Sequence, residues 1–264
     1  MTDPGVGAGA PGERWDPTMW DVAGPADGPP LVFLHGAVMT RAQWRPQVDR
    51  LANAGFRCIA VDLPGHGALA DRPFTIEAAT SLVADVVDRV AGGRAVIIGL
   101  SLGGFVAMTV AGGSPERVRG LVLAGATAEP RGPIVAGFAA VAWTLRLVPE
   151  VMLRAVVTWQ FHRRYGPAVA TAILANGYYA RGGSLAIRRL LGGRFRDRLD
   201  AYGGPVLAIN GDRDVVFRLG ERRFLEGLPE VKRLRLRRAA HLSNLDRPAE
   251  FAAAVAAFSE GLPA

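Results

Sequence analysis

Three side chains with the right chemistry for joint action are spread along this chain. Ser101 stands in Gly99-Leu100-Ser101-Leu102-Gly103, Asp214 in Gly211-Asp212-Arg213-Asp214, and His241 in Ala239-Ala240-His241-Leu242-Ser243. A serine hydroxyl is a weak nucleophile until a base within hydrogen-bond reach takes its proton. An imidazole is a suitable base, and a carboxylate on its far nitrogen fixes the tautomer and stabilises the imidazolium. The chemistry open to such a set is attack on a carbonyl carbon, with an acyl group carried on the serine oxygen.

The tetrahedral intermediate of that attack also needs hydrogen-bond donors for its oxyanion. The backbone N–H of Leu102, directly after the serine, is one candidate. Ala37, after Leu34-His35-Gly36, is the other. Loss of one such donor typically costs about 2.7–4 kcal/mol of transition-state stabilisation. Because both are main-chain groups, the side chains at 37 and 102 are free to vary.

For each role there are rivals. Asp212 and Glu129 are the other candidate acids; Asp212 lies closer to the preceding strand and suits a turn-shaping role better than Asp214 does. His162 sits among Arg163 and Arg164 without a strand before it. His35 and His66 are expected to brace loops rather than act on substrate. Cys58, the one cysteine, falls in an apolar run and reads as an inert core thiol. One cysteine and four scattered histidines leave no metal-site spacing.

The spacing of apolar residues supplies the elements that would hold these groups. Strands are expected at 31–34, 57–61, 95–98, 118–123, 205–209 and 231–236, the first two as buried apolar runs. Helical periodicity covers 40–53, 74–90, 102–110, 219–227 and 248–258. Strands alternating with helices imply βαβ units and a mostly parallel sheet. Gly99-x-Ser101-x-Gly103 therefore has a strand before it and a helix after it, the setting of a nucleophile elbow. Between 128 and 201 the alternation stops and the pattern is helical throughout. The expected organisation is a tail at 1–14, an α/β core at 15–127 and 202–264, and a helical cap at 128–201.

Half of the 264 residues are hydrophobic and 21% are charged, so a substantial core is available. The net charge of +7 is local: residues 129–200 hold eleven arginines against four acids, and the remainder is neutral. Such a segment could meet an anionic substrate or a membrane surface, although a solvated helical face accounts for it more simply. No nucleic-acid motif accompanies the charge, and no nucleic-acid partner is expected. The longest uncharged apolar stretch, 134–145, is too short to cross a bilayer, so stable membrane insertion is not expected. The N-terminus lacks a basic region followed by an apolar run, so a cytoplasmic location is expected. Gly5-Val6-Gly7-Ala8-Gly9-Ala10 matches a dinucleotide-binding pattern, but no strand precedes it. The aromatic residues Trp143, Trp159, Phe161, Tyr178 and Tyr179 suit either an acyl pocket or packing within the cap.

Leu34-His35-Gly36, Asp62-Leu63-Pro64-Gly65-His66-Gly67, Gly99 to Gly104, Gly211-Asp212-Arg213-Asp214 and His241-Leu242-Ser243-Asn244 together resemble the α/β-hydrolase superfamily. The likeness is to its small esterases, enol-lactonases and cofactor-free haloperoxidase-like enzymes, over roughly residues 17–262. It implies a twisted, mainly parallel sheet of about eight strands, flanked by helices, with a helical cap after the sixth. It also implies Asp214 as the triad acid, in the chain order Ser101, Asp214, His241. The segment before Leu31 departs from the pattern, because 17–23 is its one candidate edge strand. The implied activity is hydrolysis of an apolar carboxylic ester, thioester or lactone without metal or organic cofactor, with a carboxylated substrate a further option from the cap's arginines. A lyase or perhydrolase-like reaction would keep the same triad, and a low-turnover binding protein could keep the same fold. Ser101 argues against dehalogenase and epoxide hydrolase chemistry, which uses an aspartate nucleophile. Substrate identity and oligomeric state have no recognisable motif.

Overall fold

The computed structural model describes residues 15–132 and 134–263. The expected tail at 1–14, with its Gly5–Ala10 pattern, lies outside the described residues. Seven strands form one sheet: β1 (Trp20–Ala23), β2 (Pro30–Leu34), β3 (Arg57–Val61), β4 (Ala95–Leu100), β5 (Val118–Ala124), β6 (Val206–Gly211) and β7 (Val231–Leu236). Their spatial order is β1-β3-β2-β4-β5-β6-β7, with β1 antiparallel to β3 and every other pairing parallel.

Among the described residues the sheet has seven strands where about eight are expected, and the helical insertion follows β5 rather than a sixth strand. Between Trp15 and Leu31 there is room for one short strand, after which Gly24-Pro25 and Gly28-Pro29 turn the chain. Proline cannot donate to a ladder, so this stretch does not extend the sheet.

Alternation along the central strands builds two cores. Val32 and Leu34, Ile97, and Leu121 and Leu123 face one layer. Leu31 and Phe33, Val96 and Ile98, and Val122 face the other. Helices α1 (Arg45–Asn53) and α11 (Pro248–Glu260) pack together over the second layer. Helices α2 (Ile76–Val90), α3 (Leu102–Gly113) and α9 (Val215–Phe224) cover the first. The helix expected over 40–53 is divided into a 3₁₀ turn at Arg41–Trp44 and α1, because Pro46 suits only a first helical turn. Edge strand β7 exposes Lys232, Arg233 and Arg235, charges that oppose edge-to-edge pairing.

Between β5 and β6 lie α4 (Ile134–Leu147), α5 (Glu150–Tyr165), α6 (Pro167–Leu174), α7 (Ala180–Leu190) and α8 (Phe195–Tyr202). Helix α8 packs on α3, and Phe195 sits 4.7 Å from Phe105 between ring centroids, so α8 belongs to the main core. The outer helices carry their own small core of Ala142, Phe161, Ile173 and Tyr178. A short helix α10 (Ser243–Asp246) precedes α11.

After β2 the chain moves to β3 on one side, then returns to β4 on the other. The carboxyl ends of β2 and β4 therefore border a topological switch point, the crevice in which open α/β sheets bind ligands. His35-Gly36-Ala37 leaves one of these strands and Ser101 the other.

Candidate active site

Ser101 ends β4 and begins α3 with φ 51° and ψ −113°. A non-glycine residue at positive φ costs roughly 1–3 kcal/mol, and such strain clusters at functional sites. The turn holds because its flanks are bare. A Cβ on Gly99 would lie 2.3 Å from the Gly103 carbonyl carbon, and one on Gly103 would lie 2.1 Å from the Leu34 oxygen. Relief of the strain gives a stability prediction. Ser101→Gly is expected to gain about 1 kcal/mol of unfolding free energy over Ser101→Ala, read by chemical denaturation.

The Ser101 N–H donates to the Ala124 carbonyl at the end of β5 (2.8 Å). His241 approaches the next residue: a Cβ on Gly125 would meet the imidazole Cε1 at 2.8 Å and Nδ1 at 2.9 Å. Serine and imidazole thus flank the same strand end. His241 Nδ1–H donates to Asp214 Oδ2 at 2.8 Å. The carboxylate can only accept, so the proton is assigned to Nδ1 and Nε2 keeps its lone pair. Asp214 is buried, while the imidazole is 41% exposed, which leaves its outer edge open to solvent.

Asp214 occupies the N-cap position of α9 but makes no side-chain cap bond, since its carboxylate is turned to His241. Asp212 takes the turn-shaping place, accepting from the Ala239 N–H at 3.2 Å. Backbone hydrogen bonds from Arg238 and Ala239 hold its pKa below the usual value. Glu129 is also occupied: its carboxylate accepts from the N–H groups of Phe195 and Arg196 at the start of α8. His162 lies in the last turn of α5, with no side-chain hydrogen bond to Ser101 or to a candidate acid among the described residues.

The loop after β2 is braced by two buried histidines. His35 Nδ1–H donates to the Gly36 carbonyl (2.8 Å), and its Nε2 accepts from the Leu63 N–H (2.9 Å). His66 Nε2 contacts the Ala37 carbonyl at 2.6 Å. Leu102 follows Ser101 at the start of α3, and Ala37 lies in the loop after β2, which is tied to α3 where the Gly103 N–H donates to the His35 carbonyl (3.1 Å). No intramolecular hydrogen bond is formed by the Ala37 or Leu102 N–H among the described residues. Asp62 supports the loop from below, accepting from the Arg41 and Ala68 N–H groups.

Burial, reinforced for His35 by the charge of His66, holds the His35 pKa well below 6.5, and burial also lowers that of His66. These imidazoles therefore bind protons less readily in the folded chain. Their contribution to stability is fully present above about pH 6.5 and is lost as pH falls from there toward their folded values. Asp62, whose pKa burial raises from 3.8, acts in the opposite sense at lower pH. Thermal melting should therefore fall between pH 7.5 and 5.5, and His66→Gln should flatten that slope.

Several contributors carried no sequence signal. The Phe217 ring stacks on the His241 imidazole, 5.2 Å between centroids and 19° between planes. Behind it lies a buried polar network. Asn210 Oδ1 accepts from the Gly125 N–H (3.1 Å), and its Nδ2 donates to Thr127 Oγ1 (2.8 Å) and to the Glu221 carboxylate. Thr127 in turn donates to the Phe217 carbonyl. These bonds tie β5, β6 and α9 together around the histidine.

The aromatic expectation divides. Phe161 and Tyr178 are packed in the insertion's own core, and Tyr179 lies 6.1 Å from His66. Trp143 and Trp159 do neither; both are more than half exposed. Nine of the insertion's eleven arginines are also exposed. Cys58 is buried and burial pushes its thiol up to about 12, as an inert core position requires. Among the described residues no group of His, Cys, Asp and Glu could hold a metal ion.

Comparison with known proteins agrees with this architecture. An enol-lactonase from Burkholderia xenovorans superposes with a TM-score of 0.75 at 23% identity, over 90% of this chain and 95% of that one. A hydrolase from Pseudomonas aeruginosa gives 0.75 at 26% identity, over 90% and 92%. A pimeloyl-[acyl-carrier protein] methyl ester esterase from Nitrosomonas europaea is 42% identical over 101 residues, 38% of each chain. The chain spans less than half the length of the curated relatives it matches. The model of the alpha/beta hydrolase family matches residues 31–254, from the first buried strand into the last helix. With that much of the sheet, the elbow and the first half of the final helix inside the match, the chain belongs to the alpha/beta hydrolase family.

Proposed function

We propose that this protein is a serine hydrolase acting on carboxylic esters, thioesters or lactones through an acyl-enzyme on Ser101. The observation that carries the reading is the placement of a strained Ser101 and an Asp214-bound imidazole on either side of the end of β5. His241 Nε2 takes the hydroxyl proton as Oγ attacks the substrate carbonyl. The Leu102 and Ala37 N–H groups hold the oxyanion as the tetrahedral intermediate forms. The protonated imidazole then delivers its proton to the leaving oxygen or sulfur as the C–O or C–S bond breaks. Water enters and its oxygen attacks the acyl carbon as His241 takes its proton. The bond from that carbon to Ser101 Oγ then breaks, the imidazolium returns the proton to Oγ, and the acid leaves. No step uses a metal or an organic cofactor.

Apolar substrates fit the surroundings. Phe217 lies against the imidazole and Phe138 of α4 lies 6.0 Å from Phe217. The outward-facing arginines give no support to selection of a carboxylated substrate. A panel of p-nitrophenyl esters with acyl chains of graded length, beside small lactones, tests the proposal. Turnover that rises with chain length and falls to background in Ser101→Ala is expected. Turnover retained by Ser101→Ala, or none on any member of the panel, would reject it.

A further inference from the structure

We infer that the corner formed by α4 and α5 is a peripheral docking surface for an anionic phospholipid bilayer. The first observation is where the exposed apolar side chains collect. Leu147 is 70% exposed, Val151 74%, Met152 58% and Trp159 60%, and Val141, Trp143 and Val156 join them on the same two helices. Elsewhere among the described residues, large exposed apolar side chains are few and sit mainly at the start of α9. Concentrated apolar exposure of this kind marks an interaction surface, whereas isolated exposed residues do not.

Geometry makes the surface a shallow wedge. The two helices bend by 113° about Val148-Pro149, so they form a corner and not a span, and among the described residues no single helix is long and apolar enough to cross a membrane. On α5, Met152, Val156, Trp159 and Arg163 recur at the helical period and share one face, apolar toward the corner and basic at the far end. Trp143 and Trp159 each carry a guanidinium over the ring, from Arg146 at 5.9 Å and Arg163 at 5.4 Å. Exposed tryptophan beside arginine suits the headgroup level of a bilayer, where one end of the ring is apolar and the other wet.

Charge selects the occupant. Residues 134–165 carry four arginines against Glu150 alone. At Trp159 the stripe runs into a cleft of about 1000 Å³ whose walls include Arg163, Arg164, Arg213, Arg238 and Arg247. Its one acid, Asp246, is already engaged by Arg164, the Tyr165 hydroxyl and the Ala240 N–H. Arg164 is paired with Asp246 and Arg247 with Glu250, so Arg163, Arg213 and Arg238 carry the wall's net positive charge beside an apolar tip. A second copy of this chain would be a poor cover, because a two-fold contact would set arginines against arginines. Anionic lipid satisfies both halves: acyl chains receive the tip, and headgroup phosphates meet the arginines.

The test uses the full chain with vesicles of phosphatidylcholine alone and of phosphatidylcholine with 30% phosphatidylglycerol, read by co-sedimentation and tryptophan emission. Partition onto the anionic vesicles is expected to exceed that onto neutral ones by about tenfold or more, and to weaken as salt rises. Val151→Glu with Met152→Glu should reduce it about tenfold, and Arg154→Gln with Arg163→Gln severalfold. All four positions are exposed, so circular dichroism and ester turnover in solution should be unchanged. Equal partition onto both vesicle types overturns the inference, as does binding that the Val151/Met152 double variant retains. A lack of vesicle binding, with a dimer in sedimentation velocity that the same variant dissolves, also overturns it and assigns the surface to a second copy.

Discussion

Asp214→Asn is expected to lower kcat by about 10⁴-fold with little change in KM, while Asp212→Asn stays within about tenfold of the parent. Asp214 is buried and receives the Nδ1–H of His241 at 2.8 Å. An amide there can present its NH₂ to the ring, which then prefers the opposite tautomer and offers the serine an N–H instead of a lone pair. Asp212 lies two residues earlier and bonds to the Ala239 backbone, where an amide oxygen can still accept. Its loss loosens the turn before His241 without touching the ring. Steady-state kinetics on one ester separates the two positions. A larger loss at Asp212 would contradict the assignment.

Gly125→Ala should cost about 10²-fold in kcat/KM while leaving a folded protein. A methyl group at this position would stand 2.8 Å from His241 Cε1 and 3.4 Å from Asp214 Oδ2, at a backbone φ of 54°. The ring cannot simply retreat, because Phe217 is stacked against it. The imidazole must tilt, and a displacement of about 1 Å between base and nucleophile is enough to produce that loss. Melting temperature and turnover should therefore part company, with a modest fall in the first and a large fall in the second. A variant that melts like the parent and turns over normally would show that the backbone moves aside.

Much of this arrangement is legible in one dimension because it is local. Gly99-x-Ser101-x-Gly103 carries its own turn geometry, and the apolar runs before it and before Asp212 and His241 mark strand ends. The chain order of the three residues follows from those runs. Phe217, Asn210, Thr127 and Glu221 escape such reading because their contacts join segments remote in sequence. Gly125 has a faint signal, a glycine directly after a buried strand, which can mark close approach of another group. The start of α9 is hidden too: Val215 and Val216 are weak helix formers, and Asp214 spends its capping oxygen on His241. Trp143 and Trp159 show the limit most clearly. Helical spacing gives their face, and only tertiary packing decides whether that face meets a core or the outside.

The most direct test of the acyl-enzyme account is a fluorophosphonate probe with peptide mapping by mass spectrometry. Folded protein should gain one phosphonyl adduct, on the peptide holding Ser101, and Ser101→Ala should gain none. Asp214→Asn should label far more slowly, because the same base activates the same oxygen. Absence of label on Ser101 in the folded protein, or label at another residue with Ser101→Ala unaffected, would contradict the account.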